Sequence, residues 1–295
     1  MIYEVLRDEL AAGLGFLPDK PEETPESTLR ALWLLAAGTP VSAEEAAATA
    51  ELPSLSAQQQ DRLRCLIERR LGGVPLAHIT RRQRFMGLEM LVGAEALVPR
   101  KETEWLARTA IERAAPIVAE RGTCRVVDAC TGSGNVALAV AHRLPQARVF
   151  GADLSERAIA LATRNAQHLR MGQQVEFRVG DLLQPFDEPE FLGRVDVLTC
   201  NPPYIHSAKV ARMPAEIAAH EPRLAFDGGP LGIGILMRLL KEAPSFIRPG
   251  GWLVFEVGLG QGPALARRME ANATFRQVIA IHDEVGAIRV LSAQL

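Results

Sequence analysis

The sequence predicts an α/β protein: a doubly wound, mostly parallel seven-stranded sheet carrying a small helical domain at its N-terminus. Three observations carry that expectation. Beyond Pro99, short apolar runs of strand length alternate with alanine- and leucine-rich helical stretches. The first of these strands, from Arg125, runs straight into a glycine loop and then a helix. The last two runs, Arg276 to Ile281 and Ala287 to Ser292, have no helix between them, which makes them an antiparallel hairpin.

Residues 1–72 read as helices separated by breakers. Pro18 to Pro25 is an acidic, proline-bearing loop. Thr28 to Ala37 and Ser42 to Leu52 follow as helices, the second capped by Ser42 with Glu45 three residues on. Gln58 to Leu71 is a third helix, stopped by Gly72 and Gly73. Acidic residues outnumber basic ones in this segment, which suits either a solvated cap or a docking surface for a basic partner. Residues 73–98 form a linker in which Gln83 to Leu88 and Glu89 to Val92 are expected to pair as a hairpin. Residues 99–295 form the larger domain, opened by a long helix from Glu102 to Arg121. Its order then reads strand, helix, strand, helix, strand, strand, helix and three closing strands.

The glycine loop is Cys130-Thr131-Gly132-Ser133-Gly134. Glycines let a ligand approach the backbone, and the helix from Asn135 offers unpaired N–H groups. The next strand, Ala147 to Ala152, ends on Asp153, about 20 residues past the glycines and placed to accept two ribose hydroxyls. Asp153 could instead serve as an ordinary helix cap. Gly180-Asp181-Leu182 follows the third strand and puts another acid where an adenine amino group could be held. Gly132 to Ala137 also fits G-x-G-x-x-A, the dinucleotide fingerprint. The second acid and the segment that follows favour S-adenosylmethionine over a nicotinamide cofactor.

That segment is Asn201-Pro202-Pro203-Tyr204, closing the apolar run Val195 to Cys200. The prolines lack N–H donors, so their carbonyls are pure acceptors, and Asn201 adds a side-chain carbonyl beside them. Together they can accept both N–H bonds of a planar –NH2 group, with the Tyr204 ring against its π-system. The chemistry indicated is transfer to an amide or exocyclic amine nitrogen. An Asn-Pro pair also initiates ordinary surface turns.

Composition narrows the partners. Lys and Arg total 33 against 35 Asp and Glu, a net charge of −2 that gives no footprint for gripping a nucleic-acid backbone. The one dense basic cluster, Arg81, Arg82 and Arg84 around Gln83, reads as a solvated loop or an RNA contact. Cys65, Cys124, Cys130 and Cys200 show no paired spacing, so neither a metal site nor a disulfide framework is indicated, and buried free thiols in the cytoplasm are expected. The longest apolar run near the N-terminus, Ala31 to Ala37, is too short to span a bilayer, and the first residues lack a secretory signal.

Asp128 to Gly134, Asp153, Gly180-Asp181 and Asn201 to Tyr204 resemble the Rossmann-type methyltransferases with an N-P-P-Y signature. Four further segments resemble the HemK/PrmC group of protein glutamine-N5 methyltransferases: Gly73 to Leu76, Phe85 to Leu88, Leu97 to Glu104, and His220 to Ala225 followed by Asp227-Gly228-Gly229. The resemblance runs from about Arg69 to the C-terminus and departs from the family at Cys130, His78, Lys101 and Thr80. It implies S-adenosylmethionine as cofactor, held by Cys130 to Gly134, Asp153, Asp181, Leu182 and Asn201. It implies Asn201, Pro202 and Tyr204 as catalytic, with Pro203, Phe85 and Arg100 joining them around the substrate; for Phe85, core packing is the alternative. The expected substrate is a glutamine of a protein, foremost the GGQ glutamine of a peptide chain release factor, met by a monomeric enzyme. The alternatives are a ribosomal-protein glutamine, an adenine or guanine amino group of DNA or RNA, and a cofactor-binding module without catalysis.

Overall fold

The structure is a computed structural model that describes residues 2–15, 20–210, 220–230 and 232–295. Residues 18 and 19 of the expected acidic loop lie outside them.

The N-terminal part is built of α1 (Ile2–Gly13), α2 (Pro25–Ala37), α3 (Ala43–Ala48), α4 (Ala57–Leu71) and α5 (Leu76–Thr80). Leu6, Leu10, Leu29, Leu32, Leu63 and Ile67 form one apolar core, and Leu76 and Ile79 from α5 belong to it. The helical unit therefore runs on past residue 72 into α5, within residues expected to form the linker, where no helix was expected.

α3 ends at Ala48, short of the expected Leu52. Arg30 takes the carbonyls of Ala46 and Thr49, and the Thr49 hydroxyl donates to the carbonyl of Glu45. Those side chains satisfy the end of the helix and leave nothing for another turn to supply. Ser42 caps α3, but Glu45 does not complete the box. Glu45 pairs with Arg84, while Glu89 accepts from the Ser42 N–H at 2.5 Å and from its hydroxyl at 2.7 Å. The cap thus ties the bundle to the next element.

That element is the antiparallel pair β1 (Arg82–Phe85) and β2 (Leu88–Leu91). The turn falls at Met86 and Gly87, with φ of +51° and +84°, not between Leu88 and Glu89. Two central residues of positive φ make the turn that matches strand twist, and a methionine there gives no readable signal. The basic cluster on this hairpin is partly neutralised, since Arg84 pairs with Glu44 and Glu45.

The larger part is a seven-stranded sheet in the order β5-β4-β3-β6-β7-β9-β8. Its strands are β3 (Cys124–Ala129), β4 (Ala147–Asp153), β5 (Val175–Val179), β6 (Val195–Cys200), β7 (Ile247–Glu256), β8 (Arg276–His282) and β9 (Ile288–Gln294). β3 through β7 run parallel, and β9 runs antiparallel to both its neighbours, as the missing crossover required. Alternation sorts the side chains into two cores. Val127, Leu198, Cys200, Leu253 and Phe255 face one, and Val126, Val197 and Val254 face the other beneath α6 (Glu104–Arg121), α7 (Asn135–Arg143) and α8 (Glu156–His168).

Gly262–Glu270 is among the helices with no counterpart in the sequence reading, as are α1 and Ser207–Val210. Gly262–Glu270 stands between β7 and β8 and buries Leu265 and Met269, one turn apart. Its glycine- and proline-rich start hides the period. The expectation of buried thiols also fails at Cys65, which is exposed on α4, whereas Cys124 and Cys200 are buried and Cys130 is half-buried.

Candidate active site

Strand order reverses between β3 and β6. β4 and β5 lie to one side of β3, and β6 opens the other, so their carboxyl ends border the crevice where doubly wound sheets bind ligands. Ala129 is in register with Cys200, so the glycine loop and the Asn201 turn leave the sheet side by side. A cavity of about 290 Å³ opens there. Cys130 to Ser133, Asp153, Asp181, Leu182, Arg100 and all of Asn201 to Tyr204 line it. Gly134 and Phe85 do not. Gly134 caps α7 from behind the loop, and a Cβ there would stand 2.8 Å from the Phe177 ring. Phe85 is 1% exposed and packs with Leu88, Met90 and Leu106, which is the core role the sequence left open.

The glycine corner is held from below. Asp128 is buried; one carboxylate oxygen accepts from Thr131 Oγ1 at 2.6 Å and the other from Thr199 Oγ1 at 2.7 Å, clamping the loop to β6. Burial pushes the Asp128 carboxyl up to about 6 against the pull of those two donors. Cys130 has φ of +56°, a left-handed backbone that costs a side-chain-bearing residue about 1–2 kcal/mol. Beside it, Gly132 has φ of +55° and open space where a Cβ would stand, so its backbone is bare to the cavity.

Asp153 accepts from the Gly132 N–H and the Ser155 N–H, each at 2.9 Å. Each oxygen keeps a second acceptor position, and burial raises its pKa. Asp181 meets Arg238 with both oxygens, at 3.2 and 3.0 Å, an exposed pair that steadies the acid without removing it from the cavity wall.

The Asn201 turn is held by residues that the sequence reading did not assign to the site. Asn201 Nδ2 donates to Thr103 Oγ1 at 3.2 Å. The Tyr204 hydroxyl donates to Glu256 Oε1 at 3.0 Å, and burial pushes that phenol well above its usual range. Gln261 Nε2 donates to the carbonyls of Tyr204 and Gly232, both at 3.1 Å. Glu256 is 1% exposed at the tip of β7, and burial lifts its carboxyl to about 7. Its signal was legible: an acid closes the apolar run Trp252 to Phe255 just as Asp153 closes β4. Gln261, in a glycine-rich stretch, left none.

Arg100 reaches the cavity wall but is not free. Its Nη2 donates to Glu221 Oε1 at 2.6 Å, and Glu221 Oε2 accepts from the Val98 N–H at 3.0 Å. Two segments singled out separately in the sequence, Leu97 to Glu104 and His220 to Ala225, are thereby joined by a buried ion pair. Lys101, another departure from the family, bridges Glu44 of the bundle and Glu104 of α6, each at 3.1 Å.

Residues 120–278 match the family described as a methyltransferase domain, and residues 15–80 match the PrmC N-terminal domain. A release factor glutamine methyltransferase from Moorella thermoacetica is 38% identical over 227 residues, 77% of either chain. One from Geobacter sulfurreducens is 34% identical over 281 residues, 95% of this chain and 93% of that one. Among solved structures, a methyltransferase from Pyrococcus furiosus superposes with a TM-score of 0.50 at 20% identity, covering 70% of this chain and 89% of that one, a likeness of fold alone. No helix among the described residues is long and apolar enough to cross a membrane. By relatedness that spans both its helical bundle and its sheet, the chain belongs to the HemK/PrmC family of release factor glutamine methyltransferases.

Proposed function

We propose that this protein uses S-adenosylmethionine to methylate the side-chain nitrogen of a glutamine in a peptide chain release factor, the GGQ glutamine. One observation carries the reading: a single cavity is lined both by the glycine corner with Asp153 and by the whole Asn201–Tyr204 turn. The residues present fit the cofactor. Gly132 leaves bare backbone, Asp153 offers two free acceptor positions for ribose hydroxyls, and Asp181 beside the buried Leu182 suits an adenine edge. The cofactor supplies a methyl group on a positively charged sulfur, open to attack by a nitrogen.

The protein's share is positioning. An amide nitrogen is a weak nucleophile because its lone pair is shared with the carbonyl. Asn201 Oδ1 and the Pro202 carbonyl accept its two N–H bonds, holding it in line and favouring the positive charge that develops on it as the N–CH3 bond forms and the S–CH3 bond breaks. The neutral thioether leaves, and one N–H proton is lost to solvent. Tyr204, its hydroxyl tied to Glu256, holds a ring against the amide plane and excludes water. Pro203 stiffens the turn. Arg100, engaged by Glu221, shapes the wall and leaves the amide to Asn201. The helical bundle serves as the docking surface, and we take the enzyme to act as a monomer in the cytoplasm.

The test is transfer of labelled methyl from S-adenosylmethionine to unmethylated release factor, with ribosomal proteins, DNA and RNA in parallel. Label on the release factor alone supports the reading; label on a nucleic acid or a ribosomal protein in its place overturns it.

A further inference from the structure

We propose that Gln261 is a positioning residue for methyl transfer: it pins the Asn201–Tyr204 turn to the loop through Gly228 and Gly232, and so keeps the substrate end of the cavity in its reactive shape. The proposal rests on the functional reading above and adds to it the group that holds the turn in place.

One side chain meets three segments of backbone. Gln261 Nε2 donates to the carbonyls of Tyr204 and Gly232, both at 3.1 Å, and Gln261 Oε1 accepts from the Gly258 N–H at 3.0 Å. Each partner is a main-chain group of fixed kind, two carbonyls that only accept and an N–H that only donates. They allow the amide one orientation, because reversing it would set oxygen against oxygen and N–H against N–H. Its own backbone is fixed as well, since the Gln261 N–H donates to the Gly258 carbonyl at 3.0 Å and its carbonyl accepts from the Leu265 N–H at 3.2 Å. The pin is therefore mounted on the end of β7 and on the start of the helix Gly262–Glu270.

The segments it joins are in direct contact. A Cβ on Gly232 would stand 2.5 Å from the Tyr204 carbonyl oxygen, and one on Gly258 would stand 2.8 Å from Cδ2 of the Tyr204 ring. Past Tyr204, the Ile205 N–H donates to the Phe226 carbonyl and the Gly228 N–H to the Ile205 carbonyl, each at 2.9 Å. Pro222, Leu224 and Phe226 of that loop line the cavity together with the turn, whereas Gln261 does not line it. Gln261 thus acts on the reaction through the turn. The glycine corner takes its bonds from Asp153 and Asp128 and has none from Gln261.

Kinetics on the release factor separate this role from a merely structural one. Gln261→Glu keeps the size and the acceptor for Gly258, and sets a carboxylate oxygen against the two carbonyls in place of their donor. Its kcat should fall on the order of 10²-fold, as for a displacement of reacting groups by about 1 Å. S-adenosylmethionine affinity, measured by calorimetry, should stay within about twofold. In an Asn201→Ala background the same change should cost far less, because both act through one turn. Gln261→Met, which keeps the length without the polar groups, carries the same comparisons if the glutamate variant melts well below the wild type. The proposal is overturned if the variant keeps wild-type kcat, if it costs as much without Asn201 as with it, or if cofactor affinity falls in step with kcat. A wild-type protein that leaves the release factor unmethylated would instead sink the functional reading, and the proposal with it.

Discussion

Asp153 and Asn201 leave strands on either side of β3, line one cavity and should fail differently. Asp153→Ala should weaken S-adenosylmethionine binding in a folded protein, since it removes acceptors at the tip of β4. Calorimetry showing unchanged affinity would contradict the ribose assignment. Asn201→Ala should bind cofactor with kcat lowered on the order of 10²-fold or more, the cost of a lost orienting partner. Wild-type kcat in that variant would contradict amide orientation. Glu256 makes a third prediction, read in stability. Burial holds its carboxyl at about 7 against an ordinary 4.5, so the folded protein binds that proton more tightly than the unfolded chain. The resulting stabilisation is complete below 4.5 and lost as pH rises through about 7. Glu256→Gln has no such dependence and should therefore gain on the wild type by roughly 3 kcal/mol across that interval, at about 1.36 kcal/mol per pH unit. Denaturant unfolding at both ends measures it; a constant difference would contradict the burial account. At this scale the sequence showed residues whose type is their chemistry, such as Asn201 and Asp153. It could not show Thr103, whose part depends on Asn201, 98 positions away.

The active-site turn is packed as tightly as it is hydrogen-bonded. A Cβ on Gly228 would stand 2.7 Å from the Pro203 carbonyl and 2.9 Å from the Tyr204 Cα, both backbone atoms. Gly228→Ala must therefore displace the turn itself. Turnover should fall about 10-fold or more while cofactor affinity changes little, because the glycine corner is untouched. Equal losses in both would place Gly228 in the general fold instead. Elements were legible where a periodic run met a residue that could end it in only one way. β6 stops at two prolines, and the β8–β9 pair lacks a helix that a crossover would need. They were not legible where the terminus is set from elsewhere in the chain. α3 stops because Arg30 takes its last carbonyls, and the hairpin turns at Met86, whose N–H donates to Glu104 at 3.1 Å.

Across the whole molecule, the bundle is tied to the β1–β2 hairpin and to the start of α6 by polar contacts that a sequence cannot reveal: Ser42 to Glu89, Arg84 to Glu45, and Lys101 to Glu44. None of the described residues up to Thr80 lines the cavity, so removing residues 1–80 should spare S-adenosylmethionine binding. Cutting at residue 72 would leave Leu76 and Ile79 without the core they fill, so the cut belongs after Thr80. With a monodisperse truncated protein, methylation of the full-length release factor should fall more than methylation of a short glutamine peptide. Remote binding energy is what positions the target nitrogen. Equal losses on both substrates would make the bundle a support for the sheet and not a docking surface. The most direct test of the whole account is mass spectrometry of release factor tryptic peptides from cells with and without this gene. One added methyl on the GGQ glutamine, present with the gene and absent without it, is the result expected. An unmodified glutamine in both, or a methyl that persists without the gene, would contradict it.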